Sequence, residues 1–293
     1  MYCDLHAHST ASDGTVSPTE LPVVARDAGL QAFALTDHDT TTGLAECAAA
    51  AEEVGIAFVP GIEISADPGP SVDENGVERR RGTLHILGLF VRHDDPMLLE
   101  IEAQMRDARD SRNPAIVDKL QALGVNITYD EVMAVATEQG TQIIGRPHIA
   151  QVLINKGYVK SIQDAFVKYI AQGKPAYVRR DRLDPAKAIE AIHHAGGLAI
   201  LAHPIQTAIR DIDELTYFVA RLKDIGLDGI EVQHSDHTAQ LAKQYIQLAE
   251  ELDLLTSGGS DFHGSRKPIE MGSQKVSIDL FNHLRDEWTK RSS

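Results

Sequence analysis

The residues with the clearest chemical potential begin at His6-Ala-His8, which follows a short apolar stretch from Tyr2 to Leu5. On a strand or its immediate end, side chains two apart project the same way. The two imidazoles therefore face one point in space, as two ligands of one metal ion would. Taken alone, a His-x-His pair is common on surfaces and in cores. What distinguishes this chain is its company: Thr36-Asp-His-Asp39, Gly61-Ile-Glu63, His85, His203-Pro204 and Ser260-Asp-Phe-His263. Each lies at or just past the end of an apolar stretch, so metal-capable side chains mark six expected strand ends.

The elements that must position them alternate. Ser17-Pro-Thr-Glu20 reads as a helix start, with a Ser cap and Pro first, and the helix runs to about Ala28. Ala32–Leu35 is a strand delivering Asp37 and His38. Thr41 is expected to cap a helix over Leu44–Val54, and Ala57–Val59 leads through Pro60-Gly61 to Ile62–Ser65. This spacing predicts a parallel α/β unit with every candidate ligand at a strand's carboxyl end. Residues 67–82, rich in Pro, Gly, Asp and Arg, read as a surface excursion or hairpin with the basic triplet Arg79, Arg80 and Arg81. A strand carrying His85 follows, and Asp94-Asp-Pro96 opens a helix. Between 97 and 182 apolar residues recur at helical spacing, and no strand signal returns until Ala176–Val178. We expect a small inserted helical domain over 97–182, and a catalytic barrel formed by 1–96 and 183–293. Helix and strand then alternate to a closing helix over Leu280–Arg291, for about seven strands.

At 293 residues with 43 % hydrophobic content the chain can bury a large core. No apolar run is long enough to span a bilayer, and the amino terminus enters a strand without a basic or apolar leader, so we expect neither a membrane span nor a signal peptide. Two cysteines, Cys3 and Cys47, read as reduced thiols of a cytoplasmic protein. A formal charge of −15 disfavours long nucleic acid held by its backbone, but not a small phosphorylated ligand beside bound cations.

The ordered motifs resemble the PHP (polymerase and histidinol phosphatase) superfamily, and within it the bacterial TrpH/YciV-type branch. The pieces that carry the resemblance are Asp4-Leu-His-Ala-His-Ser9, Ser12-Asp-Gly14, Leu35-Thr-Asp-His-Asp39, Pro60-Gly-Ile-Glu-Ile-Ser65, His85-Ile-Leu-Gly-Leu89, Leu201-Ala-His-Pro204 and Gly258-Gly-Ser-Asp-Phe-His263. They span nearly the whole chain. The resemblance implies a distorted (β/α)7 TIM-like barrel with three adjacent divalent ions. It gives one ion His6, His8, Glu63 and Asp261, a second Glu63, His85 and His203, and the third Asp13, His38 and His263, with Glu63 bridging the first two. Imidazole and carboxylate without thiolate suit Mn²⁺, Fe²⁺, Zn²⁺ or Mg²⁺, and an anionic bridge offsets the repulsion of close cations. Asp13 stands where other superfamily members use His, and its harder oxygen tilts that site to Mn²⁺ or Mg²⁺. Asp37 or Asp39 is expected to orient a ligand or shape its loop. His93, His193, His194 and His283 read as exposed or capping residues.

The resemblance also makes Arg146, in Gly145-Arg-Pro-His148, a phosphate clamp, a task suited to its planar fork. It places Lys174 near the cleft and His237 near the leaving group or a phosphate. One departure is His203-Pro-Ile-Gln-Thr207, which lacks the Gly and the adjacent basic or aromatic residue of the branch; Arg210 could restore that charge. The implied activity is metal-dependent hydrolysis of the 3'-phosphate of nucleoside 3',5'-bisphosphates. A water shared by two metals would attack in line while Arg146 holds non-bridging oxygens, and Glu63, His203 and His237 complete the catalytic set. Alternatives are a 5'-3' exoribonuclease on short RNA, a histidinol-phosphatase-like enzyme and a non-catalytic metal-binding module. No nucleophile elbow, P-loop or Gly-x-Gly-x-x-Gly is present.

Overall fold

The computed structural model describes residues 1–72, 78–80, 82–138, 140–141, 144–179 and 182–291, with backbone alone at 71–72 and 78–80. Arg81 therefore lies outside the described residues, and of the basic triplet only the backbone of Arg79 and Arg80 is placed. The barrel strands are β1 (Tyr2–Asp4), β2 (Leu30–Leu35), β3 (Ala57–Ala66), β6 (Leu84–Leu89), β7 (Leu198–Leu201), β8 (Gly229–Gln233) and β9 (Leu255–Gly258). The excursion between β3 and β6 is an antiparallel hairpin of β4 (Pro70–Val72) and β5 (Glu78–Arg80). A two-residue strand, β10 (Val276–Ser277), pairs with β1, giving the sheet order β10-β1-β2-β3-β6-β7-β8-β9. Its ends meet beyond β1 and β9. There the Leu5 N–H donates to the Gly258 carbonyl at 3.1 Å, Asp261 N–H to His6 at 2.9 Å and His8 N–H to Phe262 at 2.8 Å. The result is a nearly closed barrel of seven main strands, with the short β10 as the eighth strand of its sheet.

Not all strands run the same way. β6 is antiparallel to both β3 and β7. A parallel return needs a crossover of a dozen or more residues, usually helical, whereas β3 and β6 are joined by the hairpin excursion. His85 is consequently at the beginning of β6, not at a carboxyl end, yet it reaches the same rim as the carboxyl ends of its neighbours. Glu63 also departs from the expectation, lying within the ten-residue β3 rather than past a strand end.

Both faces of the sheet are buried, so the strands read as nearly continuous apolar runs. Alternate residues sort to two cores. Phe33, Leu35, Ile62, Ile64, Ile86, Leu201 and Ile230 face the helices, while Ala32, Ala34, Val59, Leu87 and Ile200 join the inner cluster closed by α10 (Ile278–Arg291). Glu63 and Glu231 sit between outward isoleucines and valine, which turns both carboxylates toward the barrel axis.

The helices of the barrel are α1 (Leu21–Asp27), α2 (Leu44–Val54), α7 (Pro185–His194), α8 (Ile212–Asp224) and α9 (Ala239–Glu251). α1 starts at Leu21 rather than Pro18, because the Ser17 hydroxyl and Glu20 carboxylate close a separate turn at 2.7 Å before it. Thr41 does not cap α2; its hydroxyl donates instead to Glu102 at 2.6 Å. α3 (Pro96–Ala122) is capped by Asp95, which accepts from Met97 N–H at 3.0 Å. Its first half, with Leu98, Ile101 and Met105, packs on the barrel. Its second half, with Ile116, Val117 and Leu120, belongs to a separate core. α4 (Tyr129–Glu138), α5 (Arg146–Asn155) and α6 (Ile162–Ala165) complete that second core, and Ala176–Val178 is turn and coil rather than strand. No helix among the described residues is long and apolar enough to cross a membrane.

Candidate metal centre and cleft

The nine ligand-type side chains form one patch at the barrel rim. His6 and His8, two apart beyond β1, present Nε2 atoms 3.4 and 3.1 Å from Glu63 Oε2 and 3.5 and 3.3 Å from Asp261 Oδ1. Glu63 lies at the middle: His85 Nδ1 is 2.7 Å and His203 Nε2 2.8 Å from its Oε1, and His38 Nδ1 is 3.0 Å from its Oε2. His263 Nε2 stands 3.3 Å from Asp13 Oδ1. Four groupings of these nine could each hold an ion: His8, Asp13, His38 and His263; His6, His8 and Asp261; His6, Glu63 and His203; and His38, Glu63 and His85. Backbone geometry contributes, since His203 (φ 26°) and Asp261 (φ 58°) occupy left-handed conformations that non-glycine residues adopt at a cost.

The chemistry of the donor atoms suits cations. His6 Nε2, both ring nitrogens of His8, His38 Nδ1, His203 Nδ1 and Glu63 Oε2 are buried without a hydrogen-bond partner. Each such group costs about 1–3 kcal/mol if left unsatisfied, and imidazole lone pairs with carboxylate oxygens are what a divalent transition ion or Mg²⁺ binds. Electrostatics keep the acids ionised. Burial alone would raise Asp13, Glu63 and Asp261, but neighbouring imidazoles, and Lys267 for Asp261, hold all three well below the usual carboxylate range. Burial pushes His85 and His263 down to about 4. His8 goes the other way, lifted to about 9 because Asp261 and Glu63 outweigh its burial.

Several supporting residues escaped the sequence reading. Glu231 holds His6 Nδ1 at 3.0 Å, and His234 Nε2 lies 3.4 Å from Asp261 Oδ2. Lys267 donates to Asp261 Oδ2 at 2.5 Å. The signal for Glu231 was present in Ile230-Glu-Val232, which repeats the apolar-acid-apolar pattern of Ile62-Glu-Ile64. Both acidic neighbours of His38 are used. Asp37 accepts from Ser9 N–H, Ser9 Oγ and Ser12 Oγ, shaping the loop that carries Asp13. Asp39 accepts from Ser65 N–H at 2.7 Å and from Arg109 at 2.5 Å.

A cavity of about 210 Å³ opens onto the patch. Asp13, His38 and His85 form part of its wall, and Arg109, Arg112, Arg146 and Arg182 another. Arg146 enters from the first turn of α5; its guanidinium lies 5.1 Å from the Phe166 ring centroid and donates to the Ile170 carbonyl at 3.2 Å. The other three arginines have no such motif in the sequence: Arg109 and Arg112 lie three apart on α3, a spacing common on solvated helix faces, and Arg182 stands alone. Lys174 does not line the cavity: it is exposed on the turn after residue 171. Neither does His237, which folds back under β8, donating Nδ1–H to the Val232 carbonyl at 3.0 Å and packing on Tyr245. Arg210 is also outside it, bonded to the Ile205 carbonyl. Of the histidines set aside, His193 and His194 pair with Asp228 and Asp95.

The chain is similar to known proteins. A Haemophilus influenzae protein named 5'-3' exoribonuclease is 37 % identical over 287 residues, 98 % of each chain. A Chromobacterium violaceum protein named 3',5'-nucleoside bisphosphate phosphatase is 35 % identical over 261 residues, 89 % of this chain and 86 % of its own. A solved structure from Bifidobacterium adolescentis, described as a candidate metal-dependent phosphoesterase, aligns at TM-score 0.83 and 31 % identity, covering 96 % of this chain and 94 % of that one. The PHP domain pattern itself matches residues 4–195, and with it the chain belongs to the PHP domain family.

Proposed function

We propose that this protein is a metal-dependent phosphoric ester hydrolase that removes the 3'-phosphate of nucleoside 3',5'-bisphosphates. The observation that carries the reading is a four-arginine cleft opening directly on the ligand patch. A ligand with two phosphates matches it, one phosphate at the patch and one against the arginines. Support comes from the Chromobacterium violaceum relative named for that activity.

Three divalent ions, with Mn²⁺ preferred over Fe²⁺, Zn²⁺ or Mg²⁺, would be held by His6, His8, Glu63 and Asp261, by Glu63, His85 and His203, and by Asp13, His38 and His263. Such ions lower the pKa of bound water and offset charge on phosphoryl oxygens. The chain's own residues do the rest. Glu63 supplies the central negative charge, and Lys267 neutralises the outer oxygen of Asp261. Arg146 offers a planar fork to a phosphate. Arg109, tied to Asp39 and to the His38 carbonyl at 3.4 Å, stiffens the His38 loop at the cleft wall. The helical segment within 97–182 acts as the cover, since Arg146, Phe166 and Tyr177 reach the cavity from it. Cys3 and Cys47, buried and unpaired, suit a reducing cytoplasm.

A second reading, 5'-3' exoribonuclease action on short RNA, is favoured by the Haemophilus influenzae relative, whose match runs the length of both chains. The deciding experiment strips the protein of metal, restores Mn²⁺, and follows phosphate release from adenosine 3',5'-bisphosphate beside mononucleotide release from short 5'-phosphorylated RNA. Fast phosphate release is expected. Mononucleotide release alone would select the second reading, and neither product would sink both.

A further inference from the structure

Behind the ligand patch, Glu231 is fully buried on β8 and each of its oxygens meets a different ligand-type residue. Oε1 lies 3.0 Å from His6 Nδ1, and Oε2 accepts the backbone N–H of His203 at 2.7 Å. We propose that Glu231 is a positioning residue for the metal centre, holding His6 by its side chain and His203 by its backbone. The inference rests on the reading that His6 and His203 bind metal.

Donor and acceptor chemistry fixes where the His6 proton sits. An ionised carboxylate only accepts, so His6 must carry its proton on Nδ1. Once His6 gives up its second proton, as a metal ligand must, the Nε2 lone pair is directed at the space shared with Glu63 and Asp261. The second bond acts on a strained point. His203 adopts φ 26° and ψ 68°, and its N–H is held by Glu231 while its ring reaches Glu63. One carboxylate thus sets a tautomer on one side of the centre and a backbone conformation on the other.

His6, Glu231 and His234 are also close enough to suggest a separate cation site. The hydrogen bonds argue against it. Besides the His6 proton on Nδ1, the Asp236 N–H donates to His234 Nδ1 at 3.0 Å, so neutral His234 carries its own proton on Nε2. Two of the three residues then present N–H rather than lone pairs, and the group is a support.

Glu231→Gln tests this because the shape is kept while one acceptor becomes a donor. A glutamine can satisfy His6 Nδ1–H or His203 N–H, never both. Metal-stripped wild type and variant are titrated with Zn²⁺ alone, and folding is checked by circular dichroism. The expected result is an affinity lower by about ten- to a hundredfold at an unchanged number of ions bound at saturation. Equal affinities overturn the role of Glu231, as does loss of one ion with the others bound as before, since that would make Glu231 a ligand. If the variant does not fold, ¹⁵N-histidine spectra of Zn²⁺-loaded wild type decide. His6 protonated at Nδ1 and metal-shifted at Nε2 supports the inference; the reverse overturns it. A wild type that binds no Zn²⁺ fails at the prior step, the metal centre itself.

Discussion

Arg146 differs from the nine ligand-type residues in where it is anchored. Its guanidinium packs on Phe166 and bonds the Ile170 carbonyl, both in the helical segment, and it faces the ligand patch across the cleft. Replacing it should therefore leave metal content and barrel folding intact. We expect Arg146→Ala to lower kcat/KM on a nucleoside 3',5'-bisphosphate about a hundredfold, the scale of ~2–3 kcal/mol for a charge-assisted hydrogen bond. p-Nitrophenyl phosphate has a single phosphate and should lose much less if Arg146 grips the non-reacting one. Equal losses would assign Arg146 to the reacting phosphate, and no loss on either substrate would remove it as a clamp.

At the scale of elements, the barrel seam decides whether His6 and Asp261 face each other. The chain beyond β9 passes so close to the chain beyond β1 that a Cβ on Gly259 would lie 2.4 Å from the His6 Cβ and 2.5 Å from its nitrogen. Asp4 stitches the same seam, accepting from Ser260 N–H at 2.8 Å and Gly272 N–H at 2.7 Å. Gly259→Ala must part these segments. The expected cost is about 1–3 kcal/mol, as for overpacking elsewhere, accompanied by weaker metal binding because His6 moves with the backbone. Thermal melts and a metal titration check it; an unchanged midpoint with unchanged affinity would show that the seam yields freely. α3 is the other decisive element, a single helix whose two halves belong to different cores. It joins the barrel to the segment that carries Arg146.

For the whole molecule, the buried ionisable patch makes stability depend on pH when metal is removed. Burial holds His85, His148 and His263 at about 4, below the ordinary value of 6.5. Each binds a proton more readily unfolded than folded, so their contribution is present above 6.5 and is lost as pH falls through about 4. Asp13, Glu63 and Asp261, held below the carboxylate range, add to that acid-side loss. His8 has the opposite sign: lifted to about 9, it stabilises below 6.5 and that contribution is lost as pH rises through about 9. The chelator-treated protein should thus melt highest near neutrality and lower on both sides, and added Mn²⁺ should raise the midpoint by mass action. A midpoint that climbs steadily to pH 9 would contradict the alkaline-side loss assigned to His8.

The alternation of strands and helices, the extra helical segment and the nine ligand-type residues were all legible in the sequence. They rest on local signals: period-2 and period-3.6 patterns, Gly and Pro punctuation, and short motifs such as His6-Ala-His8 and Ser260-Asp-Phe-His263. Boundaries set by local competition were less legible, as when Thr41 bonds Glu102 instead of capping its helix. What depends on pairing across the chain was not legible at all. β6 is antiparallel because of how its ladder meets β3 and β7, and the pattern of His85-Ile-Leu-Gly-Leu89 reads alike in either direction. Of the four arginines of the cleft, Arg109 and Arg112 share α3, but Arg146 and Arg182 come from separate later segments, and nothing local shows that all four meet. Glu231 and Lys267 acquire their roles only by facing His6 and Asp261 across the closed barrel. Local pattern determined which residues could do chemistry; the closure of the sheet decided which of them meet, because hydrogen-bond partners distant in sequence are chosen by packing rather than by their neighbours in the chain.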